Sequence, residues 1–77
     1  MQAQEALKQG SYSKAQRLCW HALEIRPRDP DAIEVCALAA CHLGNAAQAK
    51  GYYVMASGPR QAQIHRKCLS NGIVLER

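Results

Sequence analysis

Apolar side chains recur along this chain at intervals of three and four residues, the spacing that places them on one face of an α-helix. β-Branched residues are scarce and never alternate with polar ones, so the pattern does not predict strands. The predicted inward-facing sets are Ala15, Leu18, Cys19, Ala22 and Ile25; Ile33, Cys36, Ala37 and Ala40; Ala49, Tyr52, Tyr53 and Ala56; and Ile64, Cys68 and Leu69. We therefore predict an all-α fold.

Turn-forming residues divide this pattern into five helices, predicted at 2–9, 13–26, 30–43, 46–57 and 60–70. Gly44 and Gly72 suit the left-handed position after a helix, and Ile73 supplies the apolar contact of a Schellman ending. The predicted N-terminal caps are an S-x-x-Q capping box of Ser13 and Gln16, Asp29 ahead of Pro30, and Asn45.

A shift of 34 residues superimposes the chain on itself. The matched positions are Ala3 and Ala37, Ala6 and Ala40, Gly10 and Gly44, Ala15 and Ala49, and Ala22 and Ala56. Every match is a small residue, which helix crossings and tight turns require. The shift thus predicts two copies of a helix–turn–helix hairpin, followed by one further helix.

The stretch GSYSKAQRLCWHALEIRPRD, residues 10–29, resembles the tetratricopeptide repeat (TPR) family. The matching positions are Gly10, Tyr12 and Ala15 of its G-x-Y-x-x-A run, and Ala22, Leu23 and Pro27 of its A-L-x-x-x-P ending. The resemblance implies one domain over residues 1–77: a right-handed stack of repeats at 1–29 and 30–58, closed by a capping helix and tail at 59–77. RKCLSNGIVLE also resembles the C-terminal TPR tails of delta-proteobacterial signalling proteins, including serine/threonine kinases, so we expect a piece of a longer signalling protein.

In TPR proteins the first helices of the repeats line a concave groove that receives a segment of another protein. The resemblance implies a groove formed here by Gln4, Leu7, Lys8, Asp31, Glu34, Leu38, Cys41 and His42. We expect a scaffold or adaptor function in which a mixed apolar and polar peptide contacts Leu7, Leu38 and Cys41. The charges of Lys8, Asp31 and Glu34 would set its register. The alternative is that two repeats form too shallow a groove to bind alone.

A second surface is predicted on the convex side, where Trp20 lies off the apolar stripe of its helix. Val54 is its equivalent in the second copy, and Met55 adjoins Val54. These three residues form a contact strip for a partner. The alternative is that they are isolated exposed side chains, in which case Trp20 lies over Arg17 or Glu24. Self-association is the alternative function, through this strip or through an apolar end face near Ala3, Ala6 and Leu7.

Positive charge concentrates late in the chain, whose net charge is +4. The basic patch consists of Arg60, His65, Arg66 and Lys67, with Arg77 beyond it. Such a patch attracts anions, including nucleic acid. Aromatic side chains for base stacking make up only 5% of the residues, so nucleic-acid binding is the weaker interpretation. The stronger one is a patch that is solvated or faces an acidic partner.

The four cysteines are Cys19, Cys36, Cys41 and Cys68. Their spacings of 17, 5 and 27 residues contain no C-x-x-C pair, so a zinc site is not predicted. Disulfide-rich small proteins are usually loop-rich and secreted, whereas this sequence is helical and has no signal peptide pattern. We predict free, buried cysteines in a reducing, cytoplasmic compartment, with a metal or redox role as the alternative.

No constellation for catalysis is recognised. His21, His42 and His65 fall on different predicted helices, and Cys41 and His42 diverge because adjacent helical residues point apart. Phosphate-binding, nucleophile-elbow and zinc-protease motifs are absent from the sequence. We expect no enzyme activity, no cofactor and no metal. No apolar run approaches the roughly 18 residues of a membrane-spanning helix, so no membrane partner is expected.

Overall fold

A computed structural model describes residues 2–75, and within that range every regular element is an α-helix. Met1, Glu76 and Arg77, the last named above with the basic patch, lie outside the described residues. The all-α prediction is confirmed, and each predicted boundary lies within two residues of the observed one. The helices are α1 (Gln2–Lys8), α2 (Tyr12–Ile25), α3 (Pro30–His42), α4 (Ala46–Met55) and α5 (Gly58–Leu69).

Helix α3 lies at the centre of the molecule and packs against each of the other four helices. Its buried residues run almost without interruption from Ala32 to Cys41. Most of them are alanine or cysteine, so neighbouring backbones can approach it closely. One buried cluster joins α3 to α1 and α2, and a second joins it to α4, α5 and the C-terminal segment. The core is therefore organised around a single helix.

Side-chain capping fixes the starts of α3 and α4. Asp29 Oδ1 accepts hydrogen bonds from the backbone N–H groups of Asp31 at 3.0 Å and Ala32 at 3.4 Å. Asn45 Oδ1 accepts one from the N–H of Gln48 at 3.1 Å. Both predicted caps are thus confirmed, since each satisfies N–H groups that the first helical turn leaves unpaired.

The capping box predicted for Ser13 and Gln16 is wrong. Helix α2 begins at Tyr12, one residue before Ser13, because the preceding turn closes with a hydrogen bond from the N–H of Ser11 to the carbonyl of Ala6 at 2.9 Å. Ser13 consequently lies inside the helix. The Gln16 side chain instead donates to Gln48 Oε1 of α4 at 2.8 Å.

Schellman endings follow α1, α3 and α5, at Gly10, Gly44 and Gly72. Gly44 has a φ of 77°, and the N–H groups of Gly44 and Asn45 bond to the carbonyls of Cys41 and Ala40 at 3.1 and 2.8 Å. The same pair of bonds follows α5, where Gly72 has a φ of 76°. Ile73 is buried after it, as predicted. These endings turn the chain sharply, so that successive helices can pack side by side.

Two members of the predicted apolar stripes are not in the core. Ile25 is 69% exposed and Leu69 is 45% exposed. Each is the last residue of its helix. The apolar pattern of the sequence extends into the last helical turn whether or not a neighbouring helix covers that turn. Ile73 and Leu75 of the C-terminal segment are buried in the core instead. No helix of the described residues is both long and apolar enough to cross a membrane.

The prediction of free cysteines is wrong, because all four are joined in disulfides. Cys19 of α2 pairs with Cys36 of α3, and Cys41 of α3 pairs with Cys68 of α5, across Cα distances of 5.7 and 5.3 Å. All four are buried, as expected. Close spacing in sequence is not needed when two packed helices bring the partners together. The inference to a reducing, cytoplasmic compartment therefore loses its basis.

Candidate functional site

Helices α1, α3 and α5 enclose a surface depression of about 330 Å³, which we call the α1/α3/α5 depression. Four residues expected in the groove meet there, two from α1 and two from α3, and they are joined by residues from the end of α5. The lining is Leu7, Lys8, Leu38, His42, Lys67, Ser70 and Asn71. It offers a small apolar floor surrounded by polar groups.

Leu7 and Leu38 form the apolar part of this lining. Leu7 is half-buried and packs against both core clusters, whereas Leu38 is only 4% exposed. Leu38 is therefore already covered mainly by the chain itself. A bound segment would find its apolar contact chiefly on Leu7, with the edge of Leu38 beside it.

The rim of the depression is cationic. Lys8 from α1 and Lys67 from α5 are exposed, and the exposed His42 from α3 also lines the depression. The His42 ring stacks on Tyr12, with ring centroids 4.1 Å apart and planes 3° from parallel. No carboxylate contributes to the described lining. The depression therefore favours negatively charged groups.

The two acidic groove residues lie elsewhere, near the start of α3. Arg60 Nη2 is 3.0 Å from Asp31 Oδ1, and Arg60 Nη1 is 3.7 Å from Glu34 Oε1. Arg60 Nη1 also donates to the carbonyl of Pro30 at 3.4 Å. Arg60, predicted in the basic patch, is thus paired within the chain with two carboxylates predicted in the groove. No sequence pattern predicts this pairing, because it depends on how α5 lies against α3.

The remaining groove residues are not brought into the depression. Gln4 is half-buried on α1 and does not line it, and Cys41 is buried in its disulfide. Ser70 and Asn71 line it without having been predicted. The Asn71 side chain donates to the carbonyl of Lys67 at 3.2 Å and so closes the last turn of α5 beside the site.

The predicted basic patch is divided among different surroundings. Arg60 is engaged with α3, Lys67 lines the depression, and Arg66 is exposed. The half-buried His65 lies beside Tyr53, with ring centroids 6.4 Å apart. Consecutive residues 65–67 point in different directions around the helix axis, and Arg60 lies about two turns before Lys67, so the four basic positions do not form one surface.

On α2, Trp20 is not an isolated side chain. Its Nε1–H donates to the hydroxyl of Tyr52 at 2.8 Å, which links the two helices. Val54 and Met55 are 62% and 51% exposed, and they line a different depression of about 680 Å³ with the loop before α3. Trp20 does not line that depression.

Within residues 2–75, no three His, Cys, Asp or Glu side chains are grouped so that they could hold a metal ion. Comparison of the chain with models of protein families, with curated proteins and with solved structures found no match. The α1/α3/α5 depression is therefore interpreted from its own geometry.

Proposed function

We propose that this chain is a protein–protein interaction module that docks a partner segment in the α1/α3/α5 depression. The observation that carries the proposal is the convergence of Leu7, Lys8 and Lys67, from two helices far apart in sequence, on one depression of about 330 Å³. We also propose that the fold is a TPR-type stack of two hairpins with α5 as the cap, within a larger signalling or scaffolding protein. The order of five helices and their glycine endings support this assignment.

The occupant that best complements this site is a segment carrying an aliphatic side chain between acidic ones. The aliphatic group would cover Leu7 and the exposed edge of Leu38, removing apolar surface from water. Acidic groups on either side would lie near Lys8 and Lys67. Because these lysines are exposed, their main contributions are orientation, selectivity and association rate.

A pair of synthetic peptides tests this function. The first has two leucines flanked by glutamates, and the second has lysines in place of the glutamates; both have blocked ends, so no terminal carboxylate contributes. Fluorescence anisotropy should detect binding of the glutamate peptide and not of the lysine peptide. Raising the salt concentration should weaken this binding because the charges are exposed.

Charge-reversal variants locate the binding. Lys8→Glu and Lys67→Glu should each weaken binding of the glutamate peptide by about three- to tenfold, because each replaces an attraction with a repulsion. Lys50→Glu makes the same charge change at an exposed position of α4 outside the depression, and it should have little effect. Equal losses in all three variants would show that only net charge matters and would refute docking at this site.

Self-association is a second candidate, favoured by the exposure of Ile25, Val54 and Met55. The end face suggested near Ala3 and Ala6 does not support it, because both side chains are buried within the chain. Sedimentation equilibrium tests this function. A dimer that Val54→Lys dissociates would support it, and a monomer at millimolar concentration would exclude it.

A further inference from the structure

The Cys41–Cys68 disulfide joins two walls of the α1/α3/α5 depression. Cys41 immediately precedes His42 on α3, and Cys68 immediately follows Lys67 on α5, so each cysteine adjoins a lining residue. Neither sulfur lines the depression. The bond lies in the adjoining core and fixes the distance between the wall contributed by α3 and the wall contributed by α5.

Helix α5 itself buries few side chains. Ile64 and Cys68 are its only buried residues among those described, whereas most of α3 is buried. Its ion pairs through Arg60 are partly solvent-exposed, so each contributes little to holding it. A covalent bond between positions 27 residues apart adds to these contacts a constraint that keeps α5 against α3.

We infer that the Cys41–Cys68 disulfide is a redox latch on the α1/α3/α5 depression. With the bond formed, α5 stays on α3 and Lys67 completes the cationic rim. With the bond reduced, α5 separates readily from α3 and the depression loses one wall. The role of this latch in partner binding rests on the proposed function, whereas the motion of α5 does not.

The reductant is of the dithiol class, and the exchange balances without any other reactant. One thiolate of the dithiol attacks a sulfur of the bond; the S–S bond breaks, and the displaced cysteine thiolate takes a proton. The second thiolate of the dithiol then attacks the mixed disulfide and releases the other cysteine, which is also protonated. Cys41 and Cys68 gain two electrons and two protons in total, and the dithiol becomes a disulfide.

Burial makes this reaction dependent on motion. Cys41 is 2% exposed and Cys68 is 0% exposed, so a reductant reaches the bond only when a local movement of α5 against α3, with the bond still formed, exposes a sulfur. A partner bound across both walls opposes that movement. Binding should therefore slow reduction, and reduction should weaken binding, because both depend on the same docking of α5.

The second disulfide provides a matched control. Cys19 and Cys36 join α2 to α3 within the cluster formed with α1, and neither residue adjoins the lining of the depression. Loss of this bond should loosen the contact between α2 and α3 while leaving α5 latched. A general destabilisation by cysteine replacement is thus distinguishable from release of α5.

Hydrogen exchange of the full chain, followed by mass spectrometry, tests the latch without a ligand. The Cys41→Ala/Cys68→Ala variant should exchange the amides of 58–75 at least tenfold faster than the oxidised protein, with α1 and α2 much less affected. The Cys19→Ala/Cys36→Ala variant should leave 58–75 within threefold of the oxidised protein. Dithiothreitol added to the unmodified chain should accelerate exchange in 58–75, which provides a second measurement without substitution.

Three results would overturn the inference: unchanged exchange in 58–75 after reduction, a uniform increase over all helices, or four free thiols in air-oxidised protein. The glutamate–leucine peptide adds a separate readout. If exchange in 58–75 responds as expected but the peptide fails to bind the oxidised protein, the latch stands and the proposed docking function fails. If the peptide binds the oxidised and reduced proteins equally, the latch does not control binding and its regulatory role is rejected.

Discussion

Arg60 at the start of α5 forms a 3.0 Å ion pair with Asp31 at the start of α3. At the other ends of the same helices, Cys68 is bonded to Cys41. The two contacts together show that α5 runs in the same direction as α3 rather than opposite to it. This direction brings Lys67, near the end of α5, to the depression that His42 lines at the end of α3.

Arg60→Gln tests the ion pair at the start of α5. Loss of the pair should lower the free energy of unfolding by about 0.2–1 kcal/mol, a small cost because water screens the partly exposed groups. Urea denaturation at low and high salt checks it, and the difference from the unmodified protein should shrink at high salt. Arg66→Gln, at an exposed position of the same helix, should change stability less; an equal change would contradict a specific role for Arg60.

Gly44→Ala tests the ending of α3. A β-carbon there would meet nothing within 4 Å, so the cost arises only from the positive φ of 77° and should be about 1 kcal/mol. Gly51→Ala is the matched control, since Gly51 lies inside α4 with equally open surroundings. It should stabilise the protein by about 0.5–1 kcal/mol. Thermal denaturation giving the same sign for both variants would contradict the assigned helix ending.

Asp29→Ala tests the cap of α3. Two backbone N–H groups lose their acceptor, so unfolding should become easier by about 1 kcal/mol. Ser57→Ala is the control, because Ser57 precedes α5 without a side-chain capping bond and its replacement should cost much less. Chemical denaturation of both variants measures these losses of unfolding free energy. A loss for Ser57→Ala as large as that for Asp29→Ala would be inconsistent with the caps described.

The hydrogen bond between Trp20 and Tyr52 is tested by a double-mutant cycle. Trp20→Phe and Tyr52→Phe remove its donor and acceptor separately, and the double variant removes both. The coupling energy from urea denaturation should be about 0.5 kcal/mol, at the low end for hydrogen bonds, because water competes at this exposed position. A coupling energy of zero would mean that this bond does not hold α2 to α4.

Local chemistry made much of the fold predictable. The caps at Asp29 and Asn45 and the ending at Gly44 each depend on groups within one helical turn, so the sequence pattern was sufficient for them. The disulfides and the pairing of Arg60 with Asp31 were not predictable in this way. They depend on which helix packs beside which, and in which direction, and no local pattern specifies that.

In the candidate site, too, some residues were predictable from the sequence and others depend on how the helices pack. Leu7, Lys8, Leu38 and His42 were predicted from the resemblance and do meet at one depression. The contribution of Lys67 was assigned to a different surface, because its proximity to α1 follows from the path of α5. Because Asp31 and Glu34 are paired with Arg60 and Lys67 lines the depression, the expected partner changes. It is a peptide with acidic groups rather than a mixed apolar and polar peptide that contacts charges of both signs.

The most direct test of docking is an amide chemical-shift map of the oxidised chain titrated with the glutamate–leucine peptide. We expect the largest shifts at Lys8, His42 and Lys67, because the three residues come from different helices and share only the depression. Shifts that saturate there would support the account. Shifts confined to the surface around Val54 and Met55, or no shifts at millimolar peptide, would contradict it.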